Sequence, residues 1–121
     1  ADVILGHPKV QSLVYPGHPD HPQADLIKRQ MTGGSTLLTF KLDGGQSAAF
    51  RFLNALNLVS ITNNLGDSKS LVTHPGTTTH QRLSEAERLA LGIHPGTVRI
   101  SCGLEAFEDL SADICQALDA V

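Results

Sequence analysis

Residues 35–42, Ser35-Thr36-Leu37-Leu38-Thr39-Phe40-Lys41-Leu42, decide how the fold is read. They are rich in Thr, Leu and Phe and close on Asp43-Gly44-Gly45, which predicts a strand with a tight exit. A strand buried on both faces reads as an unbroken apolar run, whereas threonine and lysine interrupt this one. Thr97-Val98-Arg99-Ile100-Ser101-Cys102 is interrupted in the same way. One covered sheet face and some antiparallel pairing are therefore expected.

Working outward, Lys9 to Tyr15 reads as a short strand closed by the turn Pro16-Gly17. A helix is expected from about Pro22 to Met31, with Pro at its start and Gly33-Gly34 as its stop. In residues 45–57, Ala49, Phe52, Leu53 and Leu56 recur at i, i+3, i+4 and i+7, the pattern of a core-facing helix. Leu58 to Thr62 suits a third strand, leading into the loop Asn63–Asp67. Ser84 with Glu87 forms a capping box for a helix stopped by Gly92. Phe107, Leu110, Ile114 and Leu118 make the apolar stripe of a last helix, widened by Ala117 and Val121. Strands and helices alternate along the chain, which by itself suggests a parallel sheet. The interrupted strands tip the reading to an α+β fold, a layer of about four strands with helices on one side.

At 121 residues and 40% hydrophobic, the chain is expected to form one domain. The charged fraction of 17% and aromatic fraction of 4% are low, which points to a domain that also packs against something else. The start, Ala1 to Val10, suits the end of a helix running in from upstream. A net charge of −3 without a basic stripe makes nucleic acid and anionic membrane poor partners. No run approaches the roughly 18 apolar residues of a membrane span, and no secretion signal opens the chain. Cys102 and Cys115 each lie in an apolar-patterned segment and are expected to be buried, reduced thiols of a cytoplasmic protein.

Six histidines raise the alternative of a non-catalytic metal-binding module. His7, His18, His21, His74 and His94 each precede proline, which biases them away from helix, so no two share a helical face. Loop histidines with local hydrogen bonds are the expectation. No G-x-S-x-G elbow and no phosphate-binding glycine loop is present, and Cys102 has no activating neighbour. The four lysines, Lys9, Lys28, Lys41 and Lys69, read as solvated surface. Arg99 stands apart because it breaks an apolar strand after the turn His94-Pro95-Gly96. Either it pairs with an acidic neighbour such as Glu105, or it faces a cleft where its planar fork holds a carboxylate. Pattern alone leaves both open.

Several segments in one order carry a resemblance that spans nearly the whole chain. These are Tyr15–Gln23 (YPGHPDHPQ), Lys28–Met31 (KRQM), Asn64–Asp67 (NLGD), His74–His80 (HPGTTTH) and Gly96–Glu105 (GTVRISCGLE). They are similar to the C-terminal part of the Cys/Met-metabolism family of pyridoxal-phosphate enzymes, which includes cystathionine synthases and lyases, methionine γ-lyase and acyl-homoserine sulfhydrylases. The resemblance implies that residues 1–121 are the small C-terminal domain of a fold-type-I enzyme, a mostly antiparallel sheet with helices on one face. It implies that Arg99 binds the substrate α-carboxylate, that Asn64 lies beside the cofactor–substrate adduct, and that Leu65 offers a backbone contact.

Asn64 replaces a common serine, Gly76 stands where alanine is frequent, and His18 takes a usually apolar place. Asn63–Asp67 with Thr77–Leu83 most resembles the O-succinylhomoserine sulfhydrylase branch, which exchanges the acyl group of an activated homoserine for sulfide. By the same resemblance, the Schiff-base lysine, the pyridine-nitrogen aspartate and the phosphate-binding glycines belong to a large domain outside this chain. The pyridoxal 5′-phosphate would be bound there, the catalytic residues would lie there, and the isolated chain would be inactive. A homotetramer is implied for the whole enzyme.

Overall fold

The computed structural model describes residues 1–121. One sheet contains five strands, β1 (Val10–Val14), β2 (Leu37–Leu42), β3 (Ser60–Ile61), β4 (Leu71–Thr73) and β5 (Thr97–Ser101). Their spatial order is β1-β2-β5-β4-β3. The ladders β1–β2, β2–β5 and β4–β5 are antiparallel, and only β3–β4 is parallel. The helices are α1 (Asp2–Leu5), α2 (Ala24–Gln30), α3 (Gly45–Ala55), α4 (Glu85–Ala90) and α5 (Phe107–Asp119), with a 3₁₀ turn at Pro75–Thr77.

The covered face follows from alternation along β2, where Leu38, Phe40 and Leu42 are buried and Leu37, Thr39 and Lys41 are partly exposed. Val98 and Ile100 of β5 join them, against Phe52 and Leu53 of α3 and Ile114 and Leu118 of α5. Burying each of these side chains contributes about 1.5–3 kcal/mol. The rings of Phe40 and Phe52 meet edge to face, centroids 5.5 Å apart. Gly44 and Gly45 turn the chain from β2 into α3 with φ of 88° and 66°, a left-handed region that side chains resist.

The α+β layer with one helical face is as expected, with five strands where about four were predicted. The added strand is β4. The predicted strand over Leu58–Thr62 shrinks to Ser60–Ile61 because the Leu58 and Val59 N–H groups donate to the Asp113 carboxylate at 2.9 and 3.1 Å. Helix α2 is shorter than predicted and buries none of its residues. The capping box of α4 forms, with Ser84 and Glu87 bonded reciprocally. Phe107 does not face the core: it is 68% exposed at the first turn of α5. Cys115 is also exposed, since α5 turns Ile114 and Ala117 inward, while Cys102 is half-buried; both thiols are free. No helix is long and apolar enough to cross a membrane.

Three of the five His-Pro pairs share one local use. In His7-Pro8-Lys9, His18-Pro19-Asp20 and His21-Pro22-Gln23, the N–H of the third residue donates to the imidazole Nδ1 of the first, at 3.3, 3.3 and 3.1 Å. Each ring closes a turn as an Asx side chain does. No three His, Cys, Asp or Glu side chains gather as a metal ligand set.

Candidate functional site

Strand β5 lies between β2 and β4, and Arg99 is registered opposite Thr39 on one side and Thr73 on the other. These residues occupy the face opposite the apolar core. Arg99 is partly buried there, and its Nη2 donates to the backbone oxygen of Asn63 at 2.9 Å. Glu105 does not pair with it. The only ion pairs of the chain join histidines to aspartates. Arg99 therefore presents an uncompensated positive charge with most of its five N–H donors unused.

Asn64 and Leu65 follow directly on Asn63 and are exposed, Leu65 by 52%. The Asn64 N–H lies 3.4 Å from Thr62 Oγ1. Downstream, the loop is stapled to the end of β5. Gly66 N–H donates to Ser101 Oγ at 2.9 Å, and Leu104 N–H to the Ser68 carbonyl at 2.8 Å. The Glu105 carboxylate accepts from the Ser70 N–H at 2.6 Å and the Ser70 hydroxyl at 2.7 Å, and Ser70 Oγ in turn accepts from Gly103 N–H. Burial acts most strongly on the Glu105 carboxyl and would raise its pKa, but the Ser70 bonds prevail and hold it below the usual glutamate value.

The structure thus brings together the three residues singled out from sequence, Arg99, Asn64 and Leu65, at one end of one loop. Sequence reasoning missed Asn63, whose role is carried by its backbone, and Ser70, which no motif marks. Glu105 was considered only as an ion partner.

Other groups are less suited to chemistry. Burial, aided by the Glu105 charge, pushes the Cys102 thiol up, away from the nucleophilic thiolate, with the N-terminal charge opposing. His74 is buried with Nε2 2.7 Å from the Pro95 carbonyl and Nδ1 2.9 Å from the Thr77 hydroxyl. Both ring nitrogens are thereby used locally. Lys9, Lys28 and Lys69 are exposed and Lys41 is half-buried. A largely apolar cavity of about 320 Å³ lies between α1, α5 and the sheet, lined by Ile4, Leu38, Phe107 and Ile114 among others. Arg99 has no part in it.

The fold is an α+β layer whose Arg99, unpaired by any carboxylate of the chain, stands on the face opposite the core. The family model of the Cys/Met metabolism PLP-dependent enzymes matches residues 1–119, and the chain belongs to that family, whose cofactor is pyridoxal phosphate. It is 52% identical to the O-succinylhomoserine sulfhydrylase of Mycobacterium tuberculosis (strain CDC 1551 / Oshkosh), over 98% of this chain and 30% of that protein. To the O-succinylhomoserine sulfhydrylase of Pseudomonas aeruginosa it is 43% identical, over 100% of this chain and 30% of that protein. The crystal structure of a cystathione gamma lyase from Micromonospora echinospora superposes with a TM-score of 0.93 at 34% identity, covering 99% of this chain and 31% of that one. The chain spans about 30% of the length of the curated relatives it matches.

Proposed function

We propose that this chain is the small C-terminal, substrate-carboxylate-binding domain of a pyridoxal-phosphate-dependent sulfhydrylase that replaces the acyl group of O-succinylhomoserine, or O-acetylhomoserine, with sulfide to give homocysteine. The observation that carries this reading is the unpaired guanidinium of Arg99, held by a neutral carbonyl beside an exposed loop. A planar fork with free donors suits a carboxylate bound through two parallel hydrogen bonds. Asn64 and Leu65 follow directly on the residue whose carbonyl holds it. Identity of 52% to an O-succinylhomoserine sulfhydrylase supports the choice of substrate.

The chain's share of the work is binding and orientation. Arg99 takes the α-carboxylate and thereby fixes the amino acid, while the bond-making groups and the cofactor belong to a large domain. The whole enzyme is read as a cytoplasmic homotetramer. Because the family resemblance places the Schiff-base lysine in that large domain, the isolated chain should be inactive.

The test is Arg99→Ala in the full-length protein. Losing two charge-assisted hydrogen bonds should raise the Michaelis constant for the amino acid about a hundredfold or more while the cofactor's absorbance is unchanged. An unchanged Michaelis constant would sink the assignment. A second reading, supported by the likeness to a γ-lyase structure, is a methionine or cystathionine γ-lyase or a cystathionine γ-synthase. Ammonia release from methionine or cystathionine without added sulfide marks a lyase; homocysteine formed from O-succinylhomoserine and sulfide marks the sulfhydrylase. A stoichiometric transition metal in the purified protein would instead favour a metal-binding module.

A further inference from the structure

We infer that Thr73 and Asn63 form a latch that positions Arg99, so that substrate-carboxylate recognition depends on a hydroxyl that touches neither substrate nor cofactor. The inference rests on the reading of Arg99 as the carboxylate clamp. Arg99 is anchored at one point, the Asn63 carbonyl. An arginine with one anchor can swing about that bond unless the anchor itself is fixed, and a carboxylate fork needs both donors in one plane. Asn63 is exposed just past the backbone bond from Thr62 N–H to the Val72 carbonyl, and its side-chain amide Oδ1 lies 3.0 Å from Thr73 Oγ1. Thr73 is 1% exposed on β4 and stands directly across from Arg99 in the ladder. Three contacts thus close a small ring: Arg99 to Thr73 through the sheet, Thr73 to Asn63 through the side chain, and Asn63 back to Arg99 through its carbonyl.

The proton count gives the latch a direction. Thr73 Oγ1 is also 2.9 Å from Thr78 Oγ1, and Thr78 Oγ1 donates to the His74 carbonyl at 2.8 Å. If Thr73 donates to the Asn63 Oδ1, both hydroxyl protons are committed and the Thr73–Thr78 contact has none. Turning the Asn63 amide over supplies the missing proton, since amide orientation is assigned from the network. Asn63 then donates to Thr73, Thr73 to Thr78, and Thr78 to the His74 carbonyl. Both hydroxyls then donate and accept, and the His74 ring is itself pinned to the Pro95 carbonyl two residues before β5. The relay ends where the strand carrying Arg99 begins.

The experiment compares binding of norleucine and norleucinamide by calorimetry to full-length, cofactor-loaded protein. The ratio of their affinities reads carboxylate recognition alone. Thr73→Val keeps the shape and removes the hydroxyl; it should lower that ratio about fivefold to tenfold. Thr73→Ser should restore it. Equal weakening of both ligands by Thr73→Val, or no change in either, overturns the latch. Loss of the ratio in Thr73→Ser as well as in Thr73→Val also overturns it, because the hydroxyl would then not be the cause. Arg99→Ala is the reference: if it abolishes the ratio while Thr73→Val does not, only the latch fails. If Arg99→Ala leaves the ratio intact, the clamp reading falls and the latch with it.

Discussion

Glu105 grips Ser70 twice, at the backbone N–H and at the hydroxyl, across 35 residues of sequence. The grip fixes the loop Asn63–Ser70 to the end of the strand that carries Arg99. In Glu105→Gln the amide oxygen can keep the Ser70 N–H, but the group facing Ser70 Oγ becomes an NH2, so the hydroxyl must turn from donor to acceptor and the charge that strengthens both bonds is lost. The variant should lose about 1–2 kcal/mol in denaturant unfolding. It should also weaken amino-acid binding in the full-length protein, because the loop bearing Asn64 is freed at its downstream end. Unchanged unfolding would show the grip to be dispensable.

Gly103 is required by space. A Cβ there would stand 2.5 Å from the Ser68 carbonyl oxygen, the Lys69 carbonyl carbon and the Ser70 nitrogen, all of them backbone atoms. Gly103→Ala must push residues 68–70 away and break the Leu104–Ser68 and Gly103–Ser70 bonds. A loss of about 2 kcal/mol or more is expected from the unfolding midpoint.

Asp113 makes stability sensitive to acid. Its carboxylate accepts from the N–H groups of Asn57, Leu58 and Val59 and from the Gln116 amide. Burial is the largest influence on this carboxyl and would raise its pKa, but the four hydrogen bonds together outweigh it and leave it lowered. A carboxyl whose folded pKa lies below its unfolded one adds stability that is present in full above the unfolded value. That stability is lost as pH falls through the folded value. Urea unfolding from pH 7 down to pH 3 should show this decline, and Asp113→Asn should flatten it while lowering stability at pH 7.

Arg99→Lys separates charge from geometry. Lysine keeps the cation and loses the planar fork. Amino-acid binding by the full-length lysine variant should fall between wild type and Arg99→Ala, and closer to the latter. Binding equal to wild type would mean that charge alone suffices.

The layer type could be read from sequence because it depends on alternation, and the interruptions at Thr39, Lys41 and Arg99 are local facts of the chain. Strand β4 could not: Leu71, Val72 and Thr73 are all buried, so three residues offer no alternation to detect. Nor could the late start of β3, where the N–H groups of Leu58 and Val59 are claimed by a carboxylate more than 50 residues away. Phe107 fits the helical stripe but sits one turn before the helix reaches its neighbours. Arg99 was legible as a candidate because a charge in an apolar strand is costly. That it does not pair with Glu105 emerged only once Glu105 was found bonded to Ser70.

Strand order carries one more consequence. β5 is the last strand to leave the ribosome, yet it takes the central place, between β2 and β4. Until residue 101 has been made, the facing edges of β2 and β4 have no partner, so a nascent chain halted earlier would expose both to aggregation. The strand that seals the sheet is also the one that bears Arg99. A chain too short to carry Arg99 is therefore also too short to complete its fold.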